Sequence, residues 1–168
     1  MAGVYGAGET NYTCEVSKST DGGKTWTQLY WNEGAFYPNG IAAWDPDHAC
    51  FVAEADSGSA AGTHIWCTDD GKTFNQTYTN PGAANSLMDI AIVPPASNGE
   101  AWAVGGALTS SPSASFYHTT DFGKTWTAAN TISGSYASAV DCVDAQHCWA
   151  TTLQPLFQTA SVAGLSTD

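Results

Sequence analysis

The chain has 168 residues, of which 43% are hydrophobic and 12% aromatic, a composition typical of a globular protein rather than a disordered one. Four lysines and no arginine stand against sixteen acidic residues, which gives a formal net charge of −12. So few cations cannot neutralise a nucleic-acid backbone or hold the chain at an anionic membrane surface, and both partner classes are excluded. No apolar run reaches about 18 residues, so no membrane insertion is expected.

Short β-rich runs separated by Gly, Pro, Asn and Asp predict an all-β chain, and no segment carries the 3.6-residue stripe of an amphipathic helix. The runs fall into four units in chain order, which are a partial unit of three strands at 1–31, two full units of four strands at 40–79 and 88–128, and a truncated unit at 138–168 whose third strand is either 156–160 or 162–165. Four strands in roughly 50 residues is typical of a β-propeller blade. We therefore predict that 1–168 is a single partial β-propeller with four-stranded antiparallel blades, about three and a half of which are present.

One motif recurs between the third and fourth strands of these units. Its copies are Ser19-Thr-Asp-Gly-Gly-Lys-Thr-Trp26, Cys67-Thr-Asp-Asp-Gly-Lys-Thr-Phe74 and Thr119-Thr-Asp-Phe-Gly-Lys-Thr-Trp126. The copies start 48 and 52 residues apart, and Ser166-Thr-Asp168 falls where a fourth copy would open. The motif therefore marks an internal repeat that spans nearly the whole chain.

The residue types of the motif suit a tight turn. Carboxylates can accept hydrogen bonds from backbone N–H groups of their own turn, which we expect of Asp21, Asp69 and Asp121. Glycines suit positions with φ > 0, expected of Gly23, Gly71 and Gly123. The next strand opens with β-branched residues and then an aromatic that can pack between sheets, namely Thr25 and Trp26, Thr73 and Phe74, and Thr125 and Trp126. We predict structural turns rather than calcium sites or catalytic residues, because a catalytic pair needs two carboxylates facing one substrate.

This pattern closely resembles the Asp-box, or BNR repeat, Ser/Thr-x-Asp-x-Gly-x-Thr-Trp/Phe. The resemblance implies a β-propeller whose boxes lie on the rim, away from the face that binds substrate. The family includes sialidases, xyloglucanases, sortilin-type receptors and photosystem II assembly factors. Sialidases grip their substrate with three arginines and the assembly factors carry an arginine-rich patch, so the absence of arginine argues against both. Three and a half blades cannot close a ring, which favours a larger parent protein over copies of this chain that complete a ring together.

Five cysteines bear on the compartment. Cys142 and Cys148 bracket a five-residue turn, a spacing that predicts a disulfide across a tight hairpin, and Cys50 and Cys67 are candidates for a second disulfide across a longer hairpin. Cys14 is left without a partner. Disulfides favour an extracellular or organelle-lumenal protein, with its targeting segment outside this chain.

Two sequons, Asn11-Tyr-Thr13 and Asn75-Gln-Thr77, match the N-glycosylation pattern, and Asn75 is the better candidate because it follows a box turn. Both support the same assignment to a secreted or lumenal glycoprotein.

No residue is predicted to be catalytic or metal-binding, and no cofactor is expected. Carboxylates that could serve a glycoside hydrolase are Glu54, Asp56, Asp89 and Glu100, and Asp89 is expected to open an inner strand and point into the central channel. Predicted turn-formers are Asp45, Asp47 and Asp144. Four histidines do not recur in register, namely His48, His64, His118 and His147. Five tryptophans are candidates for a carbohydrate platform or, as we favour, inter-blade core: Trp31, Trp44, Trp66, Trp102 and Trp149, where Trp102 and Trp149 are expected to match Phe51.

These observations predict a non-catalytic Asp-box segment that acts as a structural or protein- or glycan-binding module of a larger extracellular or lumenal protein. The alternative is a fragment of a secreted, non-sialidase glycoside hydrolase of the BNR-repeat type whose catalytic carboxylates lie partly outside this chain.

Overall fold

A computed structural model describes residues 13–33, 36–55, 62–81, 85–107 and 111–154. Over these ranges the chain is all-β, as predicted, with one turn of 3-10 helix at Ala96–Asn98 and no α-helix. The strands are β1 (Thr13–Lys18), β2 (Thr27–Glu33), β3 (Tyr37–Ala43), β4 (Ala49–Ala55), β5 (Gly62–Thr68), β6 (Asn75–Pro81), β7 (Asn85–Ile92), β8 (Ala101–Ala107), β9 (Ser113–Thr119), β10 (Thr127–Ser133), β11 (Tyr136–Asp144) and β12 (His147–Leu153).

The strands form four sheets, and within each sheet every strand pairs antiparallel with the strand that precedes or follows it in the chain. Sheet I is β1–β2, sheet II is β3–β6, sheet III is β7–β10 and sheet IV is β11–β12. Sheets II and III are the two predicted four-stranded antiparallel units, and their strands extend a few residues beyond the predicted bounds. The additional strand expected upstream of β1 and the one expected at 156–160 or 162–165 lie outside the described residues.

The first strands of sheets II, III and IV lie side by side. The Asn39 side chain on β3 donates to the Leu87 carbonyl on β7 over 2.7 Å, and the Val140 amide on β11 donates to the Asp89 carboxylate on β7 over 3.0 Å. The approach of β3 to β7 is so close that a Cβ on Gly40 would lie 2.9 Å from the Asp89 Cα. Sheets II, III and IV are thus joined along their first strands in chain order.

Hydrophobic clusters fill the three junctions between consecutive sheets, because each strand alternates its side chains between two faces. The junction of sheets I and II holds Cys14, Val16, Phe51, Ala53 and Trp66. The junction of sheets II and III holds Trp44, Cys50, Val52, Ile65, Cys67, Leu87, Ile90, Ala101, Ala103, Tyr117 and Trp126. The junction of sheets III and IV holds Val104, Ala114 and Ala137. The core is therefore a series of junctions rather than one central mass.

Both predicted disulfides are present. Cys50 and Cys67 join β4 to β5 with an S–S distance of 2.02 Å, and Cys142 and Cys148 join β11 to β12 at 2.09 Å. Cys14 is a free thiol, and burial raises its pKa to about 12. Two disulfides fit a non-cytosolic protein, because reducing compartments keep thiols reduced. Among the residues described above, no helix is long and apolar enough to cross a membrane.

The Cys50–Cys67 disulfide also belongs to the junction of sheets II and III. Gly123, in the third repeated turn, lies directly on the two sulfur atoms, and a Cβ at that position would collide with both. Because its φ is 77°, the same residue needs the freedom of glycine for its backbone conformation as well.

Removal of the two disulfides should have unequal effects. Loop closure alone predicts a loss of about 3 kcal/mol for Cys50→Ala with Cys67→Ala, and of about 2 kcal/mol for Cys142→Ala with Cys148→Ala, because the first bridge closes the longer loop. Loss of the sulfur packing under Gly123 should widen this difference. Guanidinium unfolding of the two double variants measures it, and an equal or reversed order would show that the junction does not depend on the sulfur atoms.

Candidate functional site

The first repeated turn is closed by a ring of hydrogen bonds around one carboxylate. Asp21 accepts from the Ser19 hydroxyl at 2.8 Å, from the Thr25 amide at 2.9 Å and from the Thr25 hydroxyl at 2.7 Å. The Gly23 amide donates to the Ser19 hydroxyl oxygen at 2.8 Å, and the Trp26 indole donates to the Gly23 carbonyl at 3.1 Å. Gly23 has a φ of 87°, as predicted. The serine, aspartate, glycine, threonine and tryptophan of the motif thus all have partners inside the turn.

The third turn repeats this arrangement. Asp121 accepts from the Thr119 hydroxyl at 2.8 Å, from the Thr125 amide at 2.9 Å and from the Thr125 hydroxyl at 2.6 Å. The Gly123 amide donates to the Thr119 hydroxyl oxygen, and the Trp126 indole donates to the Gly123 carbonyl, both at 3.1 Å. The same motif therefore makes the same turn about 100 residues later.

The second turn corrects the prediction for Asp69. The carboxylate inside this turn belongs to Asp70, which accepts from the Thr68 hydroxyl at 2.9 Å, the Lys72 amide at 2.8 Å and the Thr73 amide at 2.7 Å. Asp69 is exposed. The turn opens at Thr68 rather than one residue earlier.

A deletion explains the shift. Gly71 has a φ of 64° and donates its amide to the Asp47 carbonyl, just as Phe122, with a φ of 59°, donates to the Gly99 carbonyl. The third turn then has a second left-handed residue, Gly123, that the second turn lacks. Alignment without gaps on Gly-Lys-Thr hides the missing residue. The sequence does contain a signal for the deletion. Thr68 is followed directly by two aspartates, so Thr68 and Asp70 also satisfy the Thr-x-Asp spacing of the motif.

The turns hold their carboxylates ionised. Hydrogen bonds from the Thr25 amide, its hydroxyl and the Ser19 hydroxyl lower the pKa of Asp21 to about 2. Hydrogen bonds from the Thr73 and Lys72 amides lower the pKa of Asp70 to about 2. A general acid needs a pKa raised toward the working pH. Both shifts run the other way, so these carboxylates suit a structural role.

The aromatic residues that end the second and third turns pack on the sheet before them. Trp126 joins the cluster that contains the Cys50–Cys67 disulfide of sheet II, and Phe74 packs on the cluster that contains Val16 of sheet I. Trp26 departs from the prediction, since it is 61% exposed. Its motif is intact, but no sheet precedes sheet I within the described residues.

The separate carboxylate candidates are held by structural contacts or lie outside the described residues. Asp89 is the fifth residue of β7 rather than its first, and it accepts hydrogen bonds from the Ile90 amide at 2.9 Å and from Val140. Glu100 is bonded to the His118 ring at 2.9 Å. Glu54 is half-buried, and Asp56 lies outside the described residues. The hydrogen bond from Val140 gives Asp89 a structural role, which is to join sheet III to sheet IV.

The β3–β4 turn and the β11–β12 turn contain the same hydrogen-bonded pair of an aspartate and a histidine. Asp45 and Asp144 each accept hydrogen bonds from the backbone amides two and three residues later, which confirms their prediction as turn-formers. The rings of His48 and His147 bond to the same carboxylates. The other histidines lie on strands, His64 buried beside Gln76 and His118 bonded to Glu100. In the part of the chain that the structure describes, no cluster of three His, Cys, Asp or Glu could hold a metal.

The tryptophans divide between core and surface. Trp44 and Trp66 are buried, as expected of inter-sheet core, whereas Trp31 and Trp149 are 53% and 62% exposed. Trp102 is half-buried and stacks on its cross-strand neighbour His118, with ring centroids 4.2 Å apart.

The strand ladders correct one equivalence. Trp102 pairs with His118 at the place where Cys50 pairs with Cys67, so Cys50 rather than Phe51 is the counterpart of Trp102.

A cleft of about 170 Å³ opens between sheets III and IV. Its lining residues are Trp102, Phe116, Val140, Cys148, Trp149 and Ala150. Two tryptophans that the sequence offered separately thus meet in one cleft.

The glycosylation candidates differ in what the structure describes. Asn75 is exposed at the start of β6, and Thr77, the third residue of its sequon, donates its hydroxyl to the Cys67 sulfur at 3.3 Å. Asn11 lies outside the described residues. Glycosylation at Asn75 remains a prediction.

Comparison with models of known protein families, with curated proteins and with solved structures finds no match to this chain.

The corrected second turn yields a matched pair of variants. Asp70→Asn should lower the thermal unfolding midpoint, because the amide accepts poorly where the carboxylate receives three hydrogen bonds. Asp69→Asn is the control and should leave the midpoint within error. Differential scanning calorimetry of both variants checks this, and a larger loss for Asp69→Asn would restore the original assignment.

Acid should act on the same group. The pKa of Asp70 is lowered in the folded state from 3.8 to about 2, so its stabilising effect is complete above pH 4 and is lost as the pH falls toward 2. We expect the unfolding midpoint of the unmodified chain to fall over this window. Asp70→Asn should show a shallower fall, whereas Asp69→Asn should follow the unmodified chain. Parallel slopes in all three proteins would contradict the assignment.

Proposed function

We propose that this chain is a segment of an Asp-box β-propeller that serves as a non-catalytic structural and binding module for a protein or glycan partner in an extracellular or lumenal compartment. The observation that carries the proposal is the repeated turn. In each copy the carboxylate that could have acted on a ligand receives hydrogen bonds from its own turn instead.

The order of the sheets supports a propeller. Sheets II, III and IV follow one another in the chain, with their first strands side by side and antiparallel neighbours within each sheet. The aromatic residues Phe74 and Trp126 each pack on the preceding sheet, so the junction of sheets I and II and the junction of sheets II and III repeat one contact. Repetition of four-stranded sheets about one line of first strands is typical of propeller blades.

The contacts of the candidate carboxylates argue against the hydrolase alternative. Asp89 accepts two backbone hydrogen bonds at the joint between sheets III and IV, and Glu100 is bonded to His118, so both candidates already have structural partners.

The cleft between sheets III and IV is the best candidate for a binding surface in this segment. Trp149 is largely exposed there, and Trp102 lines the same cleft. A large aromatic surface with few charges suits the apolar face of a neutral sugar or an apolar protein anchor. The net charge of −12 disfavours acidic glycans by repulsion.

Trp149→Ala and its control Trp31→Ala test this surface. An array of neutral oligosaccharides is screened with the unmodified chain, and isothermal titration is run on any glycan that binds. Trp149→Ala should weaken binding by about tenfold or more, as expected for a central aromatic contact, and Trp31→Ala should bind as the unmodified chain does.

The same glycans serve as hydrolysis substrates. We expect no release of reducing sugar by the unmodified chain. Release that disappears in Asp89→Asn or Glu100→Gln would instead favour the glycoside hydrolase.

A further inference from the structure

Two asparagine–glycine pairs occur in the chain, Asn39-Gly40 and Asn98-Gly99. In such a pair the backbone nitrogen of the glycine can attack the side-chain amide of the asparagine, because glycine has no Cβ to obstruct the approach. The attack requires backbone freedom at the pair, so the fold decides whether each pair can react. The structure places the two pairs in opposite settings.

The pair Asn39-Gly40 is locked at the junction of sheets II and III. It lies within β3, where the Asn39 side-chain nitrogen donates to the Leu87 carbonyl over 2.7 Å. Gly40 is buried, and a Cβ on it would lie 2.9 Å from the Asp89 Cα of β7. The Asn39 side chain cannot turn onto the Gly40 nitrogen unless β3 separates from β7. We therefore expect this pair to be unreactive in the folded chain.

The pair Asn98-Gly99 lies in the connection between β7 and β8. Asn98 is exposed and ends the turn of 3-10 helix at Ala96–Asn98. The Gly99 amide donates one hydrogen bond, to the Ala96 carbonyl at 3.2 Å. Opening of that bond frees the Gly99 nitrogen while the sheets stay in place, and a local opening of this kind costs less free energy than global unfolding.

We propose that Asn98 is a site of spontaneous deamidation. The Gly99 nitrogen attacks the carbonyl carbon of the Asn98 side chain, a new N–C bond closes a succinimide ring, and the side-chain nitrogen leaves as ammonia together with the Gly99 amide proton. Water then opens the ring at either of its carbonyl groups. One product is aspartate, and the other is isoaspartate, in which the backbone passes through the side chain and is longer by one methylene. The reaction consumes only water, and the proposal does not depend on the proposed binding function.

The longer backbone matters because Gly99 supports the third repeated turn. Its carbonyl accepts the Phe122 amide at 2.9 Å, and a Cβ on Gly99 would lie 2.7 Å from the Phe122 ring. Phe122 in turn packs on the cluster at the junction of sheets II and III. Isoaspartate at position 98 moves the Gly99 carbonyl and so weakens this contact. Aspartate at the same position leaves the backbone length unchanged and should preserve it.

Incubation of the full chain at mildly alkaline pH tests the site. Peptide mapping by mass spectrometry follows both asparagines, and each rate in the folded chain is divided by the rate of the same residue in the reduced chain unfolded in urea. We expect this ratio to be at least about tenfold higher for Asn98 than for Asn39, because only the turn at Asn98 opens locally. Asn98→Gln is the control and should remove the faster product alone.

Two results would overturn the proposal. If the ratio for Asn39 equals or exceeds that for Asn98, the 3-10 turn gives no special access to the reaction. If Asn98 of the folded chain survives a period in which the unfolded chain is fully deamidated, the turn protects the pair instead.

The effect on the fold is measured on the products. Ion exchange separates the deamidated chain, which has gained one negative charge, and calorimetry gives its thermal unfolding midpoint. The isoaspartate form should unfold at a lower temperature than Asn98→Asp, which carries the same charge on a backbone of normal length. Equal midpoints for these two forms would contradict the role given to the contact between Gly99 and Phe122.

Discussion

The fold depends on how the second and third repeated turns sit on the sheets before them. The third turn lies on the Cys50–Cys67 disulfide through Gly123, and the second turn receives the Lys18 ammonium at the Gly71 carbonyl, 3.3 Å away. The hydrogen bonds inside a turn fix its backbone conformation, so the conformation does not depend on the sheet against which the turn packs. The same turn can therefore recur in the chain, while the residues against which it packs differ from one junction to the next.

The turns are set by local sequence and their packing is set by the neighbouring sheet. This difference explains which parts of the molecule could be predicted from sequence. Strand positions and the first and third turns depend on local patterns, and the structure contains them as expected. The carboxylate of the second turn was misplaced by one residue, because an alignment without gaps matches Gly71 to Gly123, whereas Gly71 takes the place of Phe122 and the counterpart of Gly123 is missing. The exposure of Trp26 could not be predicted, since burial of that side chain depends on a neighbouring sheet rather than on the motif.

The hydrogen bonds of the turns and junctions also show which side chains are left to bind a ligand. Most polar groups that looked available in the sequence are used to close turns or to join sheets, as Asp70, Asp89 and Asp45 are. What remains outside these networks is aromatic surface at the junctions, above all Trp149. A fold of this kind does not specify an activity, and the function must be sought in surfaces rather than in the repeated motif.

The pair at Cys50 and Cys67 in sheet II is replaced at the same ladder position in sheet III by Trp102 stacked on His118. One position thus accepts either a covalent bridge or two flat rings. At this position the covalent pair of sheet II depends on the redox state of the compartment, whereas the stacked pair of sheet III does not. Two chemically unrelated pairs thus hold the same two strands together at the same place, and only one of them can be undone by a reductant.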